Sequence, residues 1–175
     1  MKLVRWSRFT WDLKKLPDYE PKNMTSYVIR PAVREEEKLV QSVIFAAFSL
    51  DTTWGDAFKS VRGFIETQLT QSFATSSTPA MVITHGTRII AASGLNTEEA
   101  AVTHLISGPC VLSEYCNRGL GTALLYESLK TLKKCGLSQA HGVTKAGIPI
   151  SKFLYTKFEA KSEEFERDQL MVAAQ

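Results

Sequence analysis

The sequence predicts one α/β domain of the α+β kind, built on a mixed sheet. Three observations carry that expectation. At 175 residues and 44% hydrophobic, the chain is long enough for one sizeable core and too short for two. The elements run strand, two helices, then an antiparallel meander, which does not fit a strictly alternating βαβ chain. Finally, the stretch Ser107 to Cys135 reads as a strand, a glycine-bearing turn and a helix, and a helix that joins two strands makes them parallel.

Bulk composition narrows the classes. No apolar run approaches the ~20 residues needed to span a bilayer, and Met1 to Met24 lacks the continuous apolar region of a secretory signal. A cytoplasmic protein with no membrane partner is expected. The three cysteines, Cys110, Cys116 and Cys135, show no C-x-x-C spacing, so neither a disulfide framework nor a zinc site is supported. The formal charge of +3 sits in the first 24 residues; beyond them basic and acidic residues balance at fifteen each, so no nucleic-acid partner is expected.

Residues 1–24 mix Lys2, Arg5, Arg8, Lys14, Lys15 and Lys22 with Trp6, Phe9 and Trp11, then break at Leu16-Pro17 and Glu20-Pro21. Interleaved cations and aromatics can stack on bases. The reading adopted is an arm docked by its tryptophans, with residues 25–175 as the single domain and a homodimer through the arm left open. Tyr27 to Pro31 reads as a short strand. Val33 to Leu50 changes to helical spacing at Leu39, Val43, Ala46 and Ala47, with charges in its first turn. Asp51-Thr52-Thr53 punctuates, and a second helix runs from about Trp54 to Phe73. Ala80 to Thr84 and Arg88 to Ser93, joined by His85-Gly86-Thr87, read as a hairpin.

A strand is expected from about Val102 to Ser113, interrupted by Gly108-Pro109. Proline cannot donate to a ladder. Either a bulge spreads the strand from its next neighbour and leaves backbone groups for a ligand, or the strand ends there. The helix Gly119 to Cys135 carries Leu120, Leu124, Leu125, Leu129 and Leu132 as an apolar stripe, lysines in its last turn and Gly136 as cap. Leu137 to Thr144 reads as the next strand, Ile148 to Lys157 as a helix with Pro149 in its first turn, and Gln169 to Ala173 as a closing strand after a charged segment.

The turn Cys116-Asn117-Arg118-Gly119-Leu120-Gly121-Thr122 opens a helix, whose first amides lack partners and whose end is partially positive. Glycines there let a phosphate approach the amides closely. In this order of elements the turn resembles the pyrophosphate loop of the GCN5-related N-acetyltransferase (GNAT) family, Gln/Arg-x-x-Gly-x-Gly/Ala. Both glycines match, and Cys116 stands at the Gln/Arg position. The resemblance covers Tyr27 to the C-terminus. It implies a mostly antiparallel central sheet with a splayed parallel strand pair and helices on both faces. It also implies acetyl-CoA as acyl donor, no metal, and direct transfer to a primary amine of a small molecule or a protein.

By the same resemblance, the backbone from Cys116 through Asn117, Arg118, Gly119, Leu120, Gly121 and Thr122 would grip the pyrophosphate. Peptide groups of Cys110, Val111 and Leu112 would pair with the pantetheine arm. A further family segment, Asn-x-x-Ala-x-x-Leu-Tyr-x-x-x-Gly-Phe, aligns at Leu154-Tyr155, with Ile148, Ser151 and Glu159-Ala160 departing from it. It implies Tyr155 as the proton donor to the leaving thiolate; the other reading packs Tyr155 in the core with Phe153 and Phe158. His104 is the candidate general base, being an imidazole near the start of the bulged strand, with His141 an outsider. A histidine satisfied within the sheet, or a water chain in place of a base, are the alternatives. Cys116 is read as inert. A non-catalytic acyl-CoA binding or sensing module is the runner-up, and a dinucleotide fingerprint fails because Leu124 stands at the third glycine.

Overall fold

The computed structural model describes residues 3–173. Its elements are β1 (Trp6–Asp12), β2 (Tyr27–Pro31), α1 (Glu37–Leu50), α2 (Ala57–Thr75), β3 (Ala80–His85), β4 (Arg88–Gly94), β5 (Cys110–Val111), α3 (Leu120–Lys134), β6 (Gln139–Lys145), β7 (Lys161–Phe165) and α4 (Asp168–Ala173). They make two sheets of order β2-β3-β4-β5 and β6-β1-β7, with every neighbouring pair antiparallel. The apolar runs Ala80 to Ile83 and Ile89 to Ala92 are buried throughout, because α1, with α2 packed on it, and α3 cover the first sheet. This is the mixed, mostly antiparallel architecture expected.

Among the described residues one residue is bridged to both sheets. Leu105 bridges Leu95 antiparallel on one side and Gly142 parallel on the other. Past Gly108, with φ at +65°, the chain pairs only with β4 through Ala91 and Ala92. The parallel pair therefore starts at Leu105 and parts at Gly108-Pro109, leaving a gap between β5 and β6. The regular strand is shorter than the expected Val102 to Ser113, since its first half makes only that one double bridge.

Residues 6–12, set apart in the sequence as an arm, are the middle strand of the second sheet, so a boundary at residue 24 cuts through that sheet. β1 lies between β6 and β7, paired with β6 from Trp6↔Lys145 to Asp12↔Gln139 and with β7 from Trp6↔Phe165 to Thr10↔Lys161. Trp11 and Phe9 are buried on it. Two such rings remove on the order of 400 Å² from water, or ~10 kcal/mol before the entropy of ordering is subtracted. That burial, rather than local propensity, makes the segment part of the core.

Three other elements differ from the sequence expectation. The charged stretch Lys161–Phe165 is a strand, because β1 offers it a ladder and Arg8 meets Glu163 at 2.6 Å. Gln169 to Ala173 is not a closing strand; it lies in α4, and Leu170 is buried against the core. The helix expected over Ile148 to Lys157 widens to a π-helical turn at Ile150–Leu154, closed by Tyr155 N–H donating to Ile150 O at 2.9 Å. No helix among the described residues is long and apolar enough to cross a membrane.

Two histidines tie the sheets together at the junction. Their rings stack at 5.3 Å, and His141 also meets Thr10 Oγ1 through Nδ1 at 2.8 Å. Burial first, then Arg8 and His104, push His141 down to about 4; burial likewise lowers His104. The unfolded chain binds the protons more readily, so this contribution is full above about pH 6.5 and is lost as pH falls toward 4. Melting temperature is expected to fall over that window, and His141→Asn to flatten the fall; identical pH slopes for the two proteins would contradict it.

Candidate active site

The gap between β5 and β6 opens into a cleft of about 530 Å³. Its floor is Pro109, Cys110 and Val111. One wall is the end of α1 and the turn after it, with Phe48, Leu50, Asp51 and Trp54; the other is the π-helical turn with Ile150, Phe153 and Leu154, followed by Lys157. The loop from Ser113 to Thr122 closes one end.

That loop is shaped by two left-handed residues, Asn117 at φ +62° and Gly119 at φ +78°. Gly119 is the N-cap of α3, and the first intrahelical bond runs from Ala123 N–H to Gly119 O at 3.2 Å. The amides of Leu120, Gly121 and Thr122 precede that bond and, at the positive end of a 15-residue helix, present donors to the cleft. A Cβ placed on Gly121 would meet only Leu154 Cδ2 at 3.9 Å, so the glycine is not required by packing. No carboxylate lies between Cys116 and Thr122. An anion of pyrophosphate size fits this donor set and charge.

The structure separates the expected loop contacts into two groups. Asn117, Gly119, Leu120, Gly121 and Thr122 line the cleft, as does Cys116. Arg118 does not. Its guanidinium donates to Tyr27 Oη at 3.0 Å and Glu114 O at 3.1 Å and lies over the Tyr115 ring, which pins the loop from behind. The Cys116 thiol is raised by burial, then by Asp51 and Glu114, so it is held as the thiol.

The three residues expected to pair with the pantetheine arm are not equivalent. Leu112 N–H donates to Ile90 O at 3.0 Å, so its amide is consumed by β4. Peptide groups alternate sides along a strand, so Cys110 also faces β4 and Val111 faces the gap. The pantetheine-pairing set expected from the sequence thereby narrows to Val111. Cys110 instead lends its buried thiol to the floor, pushed up to about 12 by burial.

Tyr155 is buried, but with β1 rather than with Phe153 or Phe158. Its ring meets Phe9 and Trp11 edge-on, each at 5.5 Å, and Trp11 Nε1 donates to Lys157 O at 2.9 Å. Its hydroxyl occupies the space a side chain on Gly108 would take: a Cβ there would sit 1.8 Å from Tyr155 Oη. The hydroxyl therefore stands directly behind the floor residues Pro109 and Cys110. Burial first, and then the Cys110 thiol, push the phenol well above its ordinary range, so it stays protonated across neutral pH.

His104 is not at the cleft. It is 1% exposed, its Nδ1 accepts from His141 N–H at 2.9 Å, and its Nε2 is 3.0 Å from Glu98 O. Both ring nitrogens are used, which fixes the neutral tautomer with the proton on Nε2 and leaves no lone pair for a substrate. The sequence assigned no residue of the opposite wall a role. Asp51 was legible as a turn and Trp54 as the start of the second helix, in a loop expected to help choose the acceptor but carrying no motif, and Trp54 is held there by Trp6 at 6.0 Å and Phe48 at 4.9 Å. Among the described residues no cluster of His, Cys, Asp or Glu could hold a metal ion.

A mixed sheet opened at one parallel pair, with a glycine-capped helix pointing into the opening, defines a fold that solved structures share. The chain matches a GCN5-related N-acetyltransferase from Sphaerobacter thermophilus with a TM-score of 0.61 at 18% identity, over 93% of this chain and 50% of that one. It matches a GCN5-related glucosamine N-acetyltransferase region of a fungal multi-domain beta-N-acetylglucosaminidase with a TM-score of 0.57 at 15% identity, over 93% and 20%. A GCN5-related N-acetyltransferase from Kribbella flavida gives a TM-score of 0.53 at 11% identity, over 93% and 56%. The chain thus spans about half the length of the first and third. No protein-family model and no curated protein matches the sequence. The chain has the GCN5-related N-acetyltransferase fold.

Proposed function

We propose that this chain is an acetyl-CoA-dependent N-acetyltransferase that moves an acetyl group directly to a primary amine. The observation that carries the reading is the juxtaposition of three things, two of them lining the cleft and the third buried behind its floor. These are the unpaired amides opening α3, the gap-facing peptide of Val111, and the protonated hydroxyl of Tyr155 behind Gly108. The loop amides would hold the pyrophosphate, and Val111 the pantetheine arm, placing the thioester over Pro109 and Cys110. Positioning of this kind supplies on the order of 7 to 11 kcal/mol in favourable intramolecular models.

The neutral amine attacks the thioester carbonyl carbon, the C–N bond forms, and the C–S bond breaks. The thiolate takes its proton from Tyr155, and solvent restores the phenol. The nitrogen loses its surplus proton to water in the open cleft, since His104 has both ring nitrogens occupied by protein partners and neither it nor His141 lines the cleft. That same occupation favours one other reading, a non-catalytic acyl-CoA binding module.

A thiol-release assay with acetyl-CoA across a panel of amines, paired with calorimetry, separates the two. Turnover is expected, and binding without turnover on any amine would favour the binding module. Tyr155→Phe is expected to keep coenzyme A affinity and lower kcat by about 100-fold or more; full activity would remove Tyr155 from the mechanism.

A further inference from the structure

The side chains lining the cleft include one carboxylate, that of Asp51. Asp51 caps the C-terminal end of the 14-residue helix α1, where the helix dipole already concentrates negative charge. An anion there opposes the dipole. Lys145 supplies the favourable charge instead, its ammonium held by the carbonyls of Thr53 at 2.8 Å and Trp54 at 3.3 Å.

The carboxylate is only half used. Oδ1 accepts from Thr53 N–H at 3.0 Å and from the Thr53 hydroxyl at 2.5 Å. Oδ2 accepts no hydrogen bond, and Asp51 takes part in no ion pair, among the described residues. Around it the wall is apolar: Phe48 and Trp54 pack edge-on, and Leu50, 63% exposed, extends the surface to the rim. A half-satisfied carboxylate on an apolar wall is complementary to a cation that carries an apolar body.

We propose that Asp51 is the acceptor-binding residue, its Oδ2 receiving the ammonium of a primary amine whose apolar or aromatic body lies against Phe48, Leu50 and Trp54. The proposal rests on the acetyltransferase reading for its consequence, because the bound ammonium, once it has given one proton to water in the open cleft, is the neutral nitrogen to be acetylated. It assigns the acceptor class as apolar monoamines of the arylalkyl kind, and disfavours sugar phosphates and other acceptors with anionic groups near the nitrogen. Asp51 holds this ion on the wall facing the floor where the thioester would lie.

The alternative is that Asp51 only completes its turn with Thr53. Asp51→Asn separates the two, since the amide oxygen still accepts from Thr53 and only the charge is lost. Binding of 2-phenylethylammonium and of the neutral 2-phenylethanol is measured by calorimetry on the full chain without acetyl-CoA. The cation is expected to bind about 10-fold or more tightly than the alcohol, and Asp51→Asn to bring the two level while coenzyme A affinity is unchanged. In the parent protein, raising salt from about 50 to 500 mM should weaken only the cation, a reading that stands even if the variant misfolds. No binding of the cation, no preference for it over the alcohol, a salt-independent preference, or a preference kept in a folded Asp51→Asn chain would each overturn the proposal. Failure of coenzyme A itself to bind would overturn the acetyltransferase reading and leave the amine site standing.

Discussion

A Gly121→Glu chain folds as the parent does and binds coenzyme A about 100-fold more weakly, or ~2.7 kcal/mol. Two facts separate binding from stability here. The space over Gly121 is open, with nothing nearer than Leu154 Cδ2 at 3.9 Å, so the new side chain has room. A glutamate in the first turn of α3 also suits the helix dipole, so stability should hold or rise slightly. The same carboxylate stands at the donors that would face a pyrophosphate, where it competes for them and repels the ligand. Calorimetric affinity together with a melting curve reads both effects. Unchanged affinity in a folded variant would remove the loop from coenzyme A binding.

Gly108→Ala is expected to cost about 3 kcal/mol or more, a fall of ~6 to 12 °C in melting temperature for a chain of this size. The added Cβ would sit 1.8 Å from Tyr155 Oη and 2.9 Å from its Cζ, at a backbone φ of +65° that alanine adopts with strain. Tyr155 has nowhere to go, because Phe9 and Trp11 close on its ring and its other edge lies so near Gly142 that a Cβ there would stand 3.3 Å from Tyr155 Cε2. Removing the hydroxyl relieves part of the overlap, so Gly108→Ala with Tyr155→Phe should recover some of the loss, a coupling that a double-mutant cycle measures. Equal melting temperatures for parent and Gly108→Ala would contradict the placement of Tyr155 against the splay.

What could be read from the sequence was what short-range chemistry determines. The leucine stripe and lysine-rich end of α3, its Gly136 cap and the Gly119-x-Gly121 turn are local signals, and so is the hairpin of β3 and β4. They led to the loop and to the fold. β1 was not legible as a sheet strand, because Trp6, Phe9 and Trp11 do not alternate cleanly and its partners lie more than 125 residues away. β7 was hidden for the same reason, its charged residues being tolerated at a sheet edge once β1 is in place.

The site divides along the same line. Tyr155 could be aligned, but its companions Phe9 and Trp11 and its close approach to Gly108 depend on tertiary packing. His104 looked available because a sequence does not show that the His141 amide and the Glu98 carbonyl occupy its two nitrogens. Leu112 looked equivalent to Val111 until pairing with Ile90 gave the strand a side. Asp51 carried no motif, since its importance arises from what lies across the cleft.

The most direct test is a titration of the isotope-labelled chain with coenzyme A, followed through the backbone amide resonances. Binding as proposed shifts the amides of Val111 and of Asn117 through Thr122 most, in a saturable manner, and leaves His104 and its surroundings unmoved. No shifts at millimolar coenzyme A, or shifts centred elsewhere on the chain, would contradict the cleft as the coenzyme A site.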